Sequence, residues 1–331
     1  MGKVRRRAGR MRDGLGRTVD YLRLSITEGC NLRCAYCRPA RDPGASPVGR
    51  DSVPEQPLSV DELERIVAAF VSLGVHKVRL TGGEPLTRPD VVEIVACLKA
   101  VPGVRELTMT TNATLLAPVA ADLRAAGLDR VNVSLDTLDD ERFCRLTRGG
   151  QLADALAGLE ALDAAGFSHT KINCVLIGGV NDDEVTRLAY LARDRALDVR
   201  FIELMPIGPA ASWPRSRFVS ASLVLERVSE LEPAGVDGVS CLYTAPGWAG
   251  HVGLIRPMSC PFCATCSRVR VTADGRLLAC LRSTSEVSLR GLEGEELTGA
   301  IQDALLAKPA HHEMDPEHAS SGARNMARIG G

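Results

Sequence analysis

Tyr21-Leu22-Arg23-Leu24-Ser25-Ile26-Thr27-Glu28-Gly29-Cys30-Asn31-Leu32-Arg33-Cys34-Ala35-Tyr36-Cys37 decides the fold, because a β-branched and aliphatic run ends in three cysteines spaced CxxxCxxC. Residues 21–26 read as a strand, so three thiolates leave the loop after it and converge on one inorganic centre. Three is the informative number. A structural zinc takes four closed ligands, whereas a three-cysteine [4Fe–4S] cluster leaves one iron open. A zinc site with a distant fourth ligand stays open as the alternative.

Outward from this stretch, short β-branched runs alternate with amphipathic helical patterns up to about residue 230. The strand-like runs are 21–26, 77–80, 106–111, 130–135, 171–177 and 199–202; helical patterns cover 59–73, 89–100, 151–165 and 182–195. Ser59 with Glu62 makes a capping box, and Gly74, Gly127 and Gly166 stand at the expected helix stops. Such alternation gives parallel strands and an α/β fold. Six units are too few for a closed eight-stranded barrel, so an incomplete (β/α)6 barrel competes with a doubly wound sheet, and the motifs at the strand ends favour the barrel. The second strand runs into Thr81-Gly82-Gly83-Glu84-Pro85, where paired glycines let backbone approach a ligand closely and Pro85 fixes the turn.

From about residue 235 the pattern changes to Gly, Pro and Cys punctuation with short strands. The expected organisation is a basic arm at 1–15, a partial barrel at 16–230 and a smaller C-terminal α+β domain at 231–331. The last carries Cys263, Cys266 and Cys280, a CxxC followed by a third cysteine, with Cys260 near enough to be a fourth ligand. A zinc half-site and a second cluster both fit this spacing.

Eleven cysteines in 331 residues, an odd number, without a secretory signal, favour metal binding in a reducing compartment over disulfides; the five outside the two groups read as buried small hydrophobes. Hydrophobic content of 45% and a net charge of −1 fit a soluble globular chain and give no reason to expect a nucleic-acid partner. No run approaches the roughly 18 apolar residues of a membrane span. Lys3, Arg5, Arg6, Arg7, Arg10 and Arg12 read as a solvated arm. A cytoplasmic location is expected.

CxxxCxxC after strand one, with Tyr36 before its last cysteine and GGEP after strand two, resembles the radical S-adenosylmethionine (SAM) enzymes. Further blocks resemble the GTP 3′,8-cyclase family of molybdenum cofactor biosynthesis: Val131-Asn132-Val133-Ser134-Leu135-Asp136, Gly179-Val180-Asn181-Asp182-Asp183-Glu184, Arg200-Phe201-Ile202-Glu203-Leu204-Met205-Pro206, Thr272-Ala273-Asp274-Gly275 and the terminal Gly330-Gly331. The resemblance implies two [4Fe–4S] clusters, one on Cys30, Cys34 and Cys37 that binds SAM, the other on Cys263, Cys266 and Cys280 that binds the substrate purine. It implies SAM contacts at Tyr36, Gly83, Ser134 and Met205, and GTP contacts at Arg23, Arg79, Thr110, Lys171, Arg268 and Arg270. Arg23, Arg268, Arg270, Gly330 and Gly331 take catalytic roles, the glycine tail reaching into the active site. The implied reaction starts with a 5′-deoxyadenosyl radical that removes the C3′ hydrogen of GTP, after which C3′ adds to C8, giving (8S)-3′,8-cyclo-7,8-dihydroguanosine 5′-triphosphate. An external electron donor, product hand-over to a cyclic pyranopterin monophosphate synthase and a homodimer are also implied.

The cation set makes physical sense on its own terms, since planar guanidinium groups bind phosphate oxygens in paired hydrogen bonds. Five positions depart from the family pattern: Glu28-Gly29 for Asp-Arg, Arg38 for Met, Ala113 for Gly and Ser267 for Asn. None removes a cysteine or a cation of the set. Two other readings share the cysteine groups: a radical SAM peptide or small-molecule modifying enzyme with an auxiliary cluster, and a zinc-binding interaction module.

Overall fold

The computed structural model describes residues 11–39, 56–283, 285–312 and 326. Gly330, Gly331 and most of the basic arm lie outside the described residues.

Six parallel strands stand side by side in chain order: β1 (Tyr21–Ser25), β2 (Lys77–Thr81), β3 (Glu106–Thr111), β4 (Arg130–Ser134), β5 (Lys171–Leu176) and β6 (Asp198–Glu203). The later strands are β7 (Glu232–Asp237), β8 (Ser240–Thr244), β9 (His251–Ile255), β10 (Arg268–Val271), β11 (Arg276–Leu278) and β12 (Val287–Ser288). They extend both edges of the same sheet: β9 pairs parallel with β6, and β10 pairs parallel with β1. Their antiparallel neighbours, β8 with β7 and β11 with β12, form the two ends, so the sheet is open. Arg268 and Arg270 on β10 are thereby brought beside Tyr21 and Arg23, although about 250 residues of chain lie between them.

The two faces of the sheet differ, because side chains alternate along a strand. Leu22, Leu24, Val78, Leu80, Leu107, Met109, Val131, Val133, Ile172, Val199 and Phe201 point outward and are at most 1% exposed. They pack against helices, among them Val60–Ser72, Val91–Ala100 and Leu152–Ala164. The alternate residues, including Arg23, Arg79, Thr108, Arg130, Asn132, Lys171 and Arg200, line a cavity instead. A doubly wound sheet covers both faces with helices and reads as apolar on both. A polar inner face belongs to a barrel whose interior holds a ligand.

The strand runs read from sequence agree with the structure to within a residue or two. The Ser59 capping box is present, with Ser59 Oγ accepting from Glu62 N at 3.2 Å and Glu62 Oε2 accepting from Ser59 N at 2.8 Å. Gly74, Gly127 and Gly166 all take positive φ. The pattern at 182–195 is two short helices, Val185–Ala189 and Leu191–Asp194, parted at Tyr190, whose ring lies edge-on to Trp248. The expectation that the scattered cysteines are buried holds only for Cys174; Cys97 and Cys241 are half-buried, and Cys144 and Cys260 are exposed. Ala113, where the family has glycine, takes φ 64° while fully buried.

Candidate active site

The loop after β1 is fixed from two sides. Arg33 N and Ala35 N donate to the carbonyls of Thr147 and Leu146 at 3.0 and 2.9 Å, while Gly83 N and Glu84 N donate to the carbonyls of Thr27 and Gly29 at 2.8 and 2.7 Å. The paired glycines serve this second contact. A Cβ on Gly83 would lie 2.1 Å from the Gly29 carbonyl oxygen, and one on Gly82 would lie 2.6 Å from that of Thr27. Glycine here answers to the cysteine loop as well as lining the cavity, a steric requirement that the sequence reading, which gave ligand approach alone, did not supply. Glu84 accepts from Leu86 N, Asn112 N and Thr111 Oγ1, and burial pushes its carboxyl up to about 7.

Burial raises the Cys34 thiol well above its usual value, and Asp136 and the two other thiols add to the shift. Such a trio ionises together only beside a positively charged centre, which is what iron supplies. Among the described residues no three His, Cys, Asp or Glu donors gather as one bare metal ion would need; a four-iron cluster asks less, because each thiolate meets its own iron. Tyr36 Oη donates to Asp136 Oδ2 at 2.8 Å, and Asp136 Oδ1 accepts from Val175 N at 2.8 Å. Asp136 sits beyond the end of β4, where burial raises its carboxyl to about 6.

Cys263, Cys266 and Cys280 line the same cavity of about 1040 Å³, and exposed Cys260 does not. Their segment is braced by Arg17 Nη1, which donates to the Cys263 carbonyl at 2.9 Å, and by buried Lys308, whose Nζ donates to the carbonyls of Cys266 and Arg268 at 3.0 and 2.6 Å. Burial would raise the Cys266 thiol, but Lys308 and Arg268 together bring it below its usual value.

Between the two trios runs a row of cations. Arg270, Arg23 and Arg79 are in register across β10, β1 and β2, so their side chains leave the sheet on one face. Burial lowers all three, and repulsion from its neighbouring arginines lowers Arg23 further, so the wall of the cavity carries concentrated positive charge that favours an anion. Arg79 Nε donates to Thr108 Oγ1 at 3.1 Å, and its guanidinium lies 5.4 Å from the centre of the Tyr21 ring. Tyr21 Oη, Thr81 Oγ1 and Thr110 Oγ1 are buried without a hydrogen-bond partner among the described residues, and all three residues line the cavity. Further round, Lys171 and Arg200 meet Asp198 and Asp237.

Every site residue expected from the sequence that the structure describes lines this one cavity, and so does Met326; Gly330 and Gly331 lie outside the described residues. The sequence reading missed Glu84, Asp136, Arg200 and Asp237, which line the cavity, and Lys308, which braces the second cysteine segment. Asp198 and Arg200 were legible as polar residues alternating with Val199 and Phe201 in an otherwise buried strand. Lys308 carries no local signal, since only the fold brings it to Cys266.

An open parallel barrel with three cysteines after its first strand and GGEP after its second defines a radical SAM protein. The Radical SAM superfamily model matches residues 24–192, and the Molybdenum Cofactor Synthesis C model matches 197–314. Among solved structures, Streptococcus suis SuiB bound to precursor peptide SuiA is similar over 89% of this chain and 72% of its own (TM-score 0.61, 13% identity), and native anSMEcpe with bound AdoMet over 88% and 82% (TM-score 0.57, 14%), which shows the fold. Curated relatives are closer in sequence. The GTP 3′,8-cyclase of Peptoclostridium acidaminophilum is 42% identical over 96% of this chain and 98% of its own; those of Alkaliphilus oremlandii (40%; 97% and 100%) and Pseudomonas syringae (43%; 96% and 98%) are similar. The chain belongs to the GTP 3′,8-cyclase family.

Proposed function

We propose that this chain cyclises GTP to its 3′,8-cyclo-7,8-dihydro derivative in molybdenum cofactor biosynthesis, using SAM and two [4Fe–4S] clusters. The observation that carries this reading is that both cysteine trios and the row of cations face one cavity. When bound, the first cluster and SAM would supply the radical that takes the C3′ hydrogen of GTP, and the base radical left when C3′ bonds to C8 would take up one electron from the external donor and one proton.

The chain's own residues bind and orient. Cys30, Cys34 and Cys37 hold the SAM cluster; Tyr36, fixed by Asp136, together with Gly83, Ser134 and Met205, forms the SAM wall. Arg23, Arg79, Lys171, Arg268 and Arg270 neutralise the triphosphate, and Thr110 Oγ1, which has no hydrogen-bond partner among the described residues, supplies a hydrogen bond. Cys263, Cys266 and Cys280 hold the second cluster at the purine end. Fixing both reactants in one enclosed site lowers the entropic part of the barrier and keeps quenching groups away. Gly330 and Gly331 complete the site in this reading.

The same reading includes an external electron donor, hand-over of product to a cyclic pyranopterin monophosphate synthase, a homodimer and a cytoplasmic location. Among the described residues no helix is long and apolar enough to cross a membrane. The test is anaerobic reconstitution, iron and sulfide analysis, then incubation with SAM, dithionite and GTP. Two clusters per chain and GTP-dependent 5′-deoxyadenosine with a cyclised nucleotide are expected. SAM cleavage indifferent to GTP would overturn the substrate assignment.

A further inference from the structure

Two cations of the cavity wall already carry an anion that belongs to the chain. Asp237, the last residue of β7, places its carboxylate on Lys171 Nζ and 2.6 Å from Arg200 Nη2. Asp198 stands 3.8 Å from Lys171 Nζ and 3.2 Å from Arg200 Nη2. The side chains of Lys171 and Arg200 are 7% and 8% exposed, so these are buried charges, whereas that of Asp237 is 48% exposed. With both carboxylates in place this corner of the cavity is neutral.

The two acids are held differently. Asp198 begins β6, which is paired on both sides within the parallel sheet. Asp237 ends β7, the outermost strand, which is exposed along its length and pairs with β8 alone, with a register shift between Pro233 and Gly235. β8 is itself paired with β9 over Cys241–Tyr243 and Ser240 is fully buried, so the weakly held part of the hairpin is β7, which ends in Asp237. Arg200 also faces the cavity, and its side chain is packed in place. Its Nε is buried without a partner among the described residues. Its chain also crosses the backbone of β9 at Gly253, where a Cβ would stand 3.0 Å from Arg200 Cγ.

We infer that Asp237 is an internal counter-ion for Lys171 and Arg200 that yields them to the phosphate chain of the nucleotide, the outermost strand β7 moving off as it does so. This rests on the reading of Lys171 as a phosphate ligand. An incoming polyanion needs an excess of positive charge, and Asp237 is the carboxylate that leaves at least cost, since the other is built into the sheet. Asp237 is therefore a positioning residue that sets nucleotide affinity through the two cations.

The test uses the reconstituted protein and measures binding of inorganic tripolyphosphate, GTP and guanosine by calorimetry. Asp237→Asn is expected to tighten tripolyphosphate and GTP at least about tenfold, the scale of one charge-assisted hydrogen bond, and to leave guanosine unchanged, with Asp237→Glu restoring wild-type affinity. A merely structural role predicts weaker binding. Unchanged or weaker tripolyphosphate binding in Asp237→Asn, or no tripolyphosphate binding by either protein, overturns the inference. A second measurement needs no variant: amide hydrogen exchange across Glu232–Asp237 is expected to rise when tripolyphosphate binds wild-type protein, and protection there would overturn the inference. Because tripolyphosphate carries no ribose or base, these outcomes stand apart from whether the enzyme cyclises GTP.

Discussion

Replacing Gly83 by alanine tests why the second strand ends in paired glycines. The added Cβ would stand 2.1 Å from the Gly29 carbonyl oxygen and 2.6 Å from that of Glu28. Both are backbone atoms, so no side chain can rotate away. The cysteine loop must retreat by about 1.3 Å to regain ordinary contact, the kind of overpacking that costs about 1–3 kcal/mol. That shift also breaks the bonds from Glu84 N to the Gly29 carbonyl and from Gly83 N to the Thr27 carbonyl, 2.7 and 2.8 Å long. Two lost backbone bonds add about 2 kcal/mol. Gly83→Ala is therefore expected to lower unfolding stability by about 3–5 kcal/mol and to leave the first cluster underloaded while the second fills. The matched control is Gly29→Ala, whose Cβ meets only the hydroxyl oxygens of Thr27 and Thr87, at 3.2 and 3.4 Å. That change should stay within about 1 kcal/mol of wild type. Denaturant titration, iron content and electron paramagnetic resonance of the reduced clusters read the outcome. Equal stability and equal iron in the two variants would refute the backbone-contact argument and return the glycines to ligand approach.

Thr110→Val removes a buried hydroxyl that has no partner among the described residues. Unfolding stability should change by less than about 1 kcal/mol, while the KM for GTP rises; an unchanged KM would remove Thr110 from the substrate contacts. Glu84 gives a pH signature, because its carboxyl is raised to about 7 in the fold from 4.5. Between those values the folded state holds the proton more tightly than the unfolded chain does, so stability falls as pH rises through this window, by about 3 kcal/mol in total from this group. Denaturant titrations of wild type and Glu84→Gln at pH 5 and pH 8 should show a smaller decline in the variant, and parallel declines would show that Glu84 ionises normally.

Strand positions were legible because each run carries its own β-branched pattern and ends in a local signal: cysteines after β1, Gly82-Gly83 after β2. The first cysteine trio was legible for the same reason, as its three thiolates share one loop. Even the polar inner face was written in the strands, in Arg130, Asn132 and Ser134 alternating with Val131 and Val133, though its meaning depends on which face the helices cover. Tertiary structure alone decided the remainder. It set Arg270 beside Arg23 and Arg79, because a parallel pairing between β10 and β1 joins segments far apart in sequence. It brought Lys308 to Cys266 and Asp237 to Lys171 through long-range contacts that leave no periodic trace in the chain. It also gave Gly83 its reason, since a steric limit set by the Gly29 carbonyl exists only once two loops meet. Local sequence encodes backbone preference and the supply of chemical groups; their convergence on one cavity is a property of strand order and register.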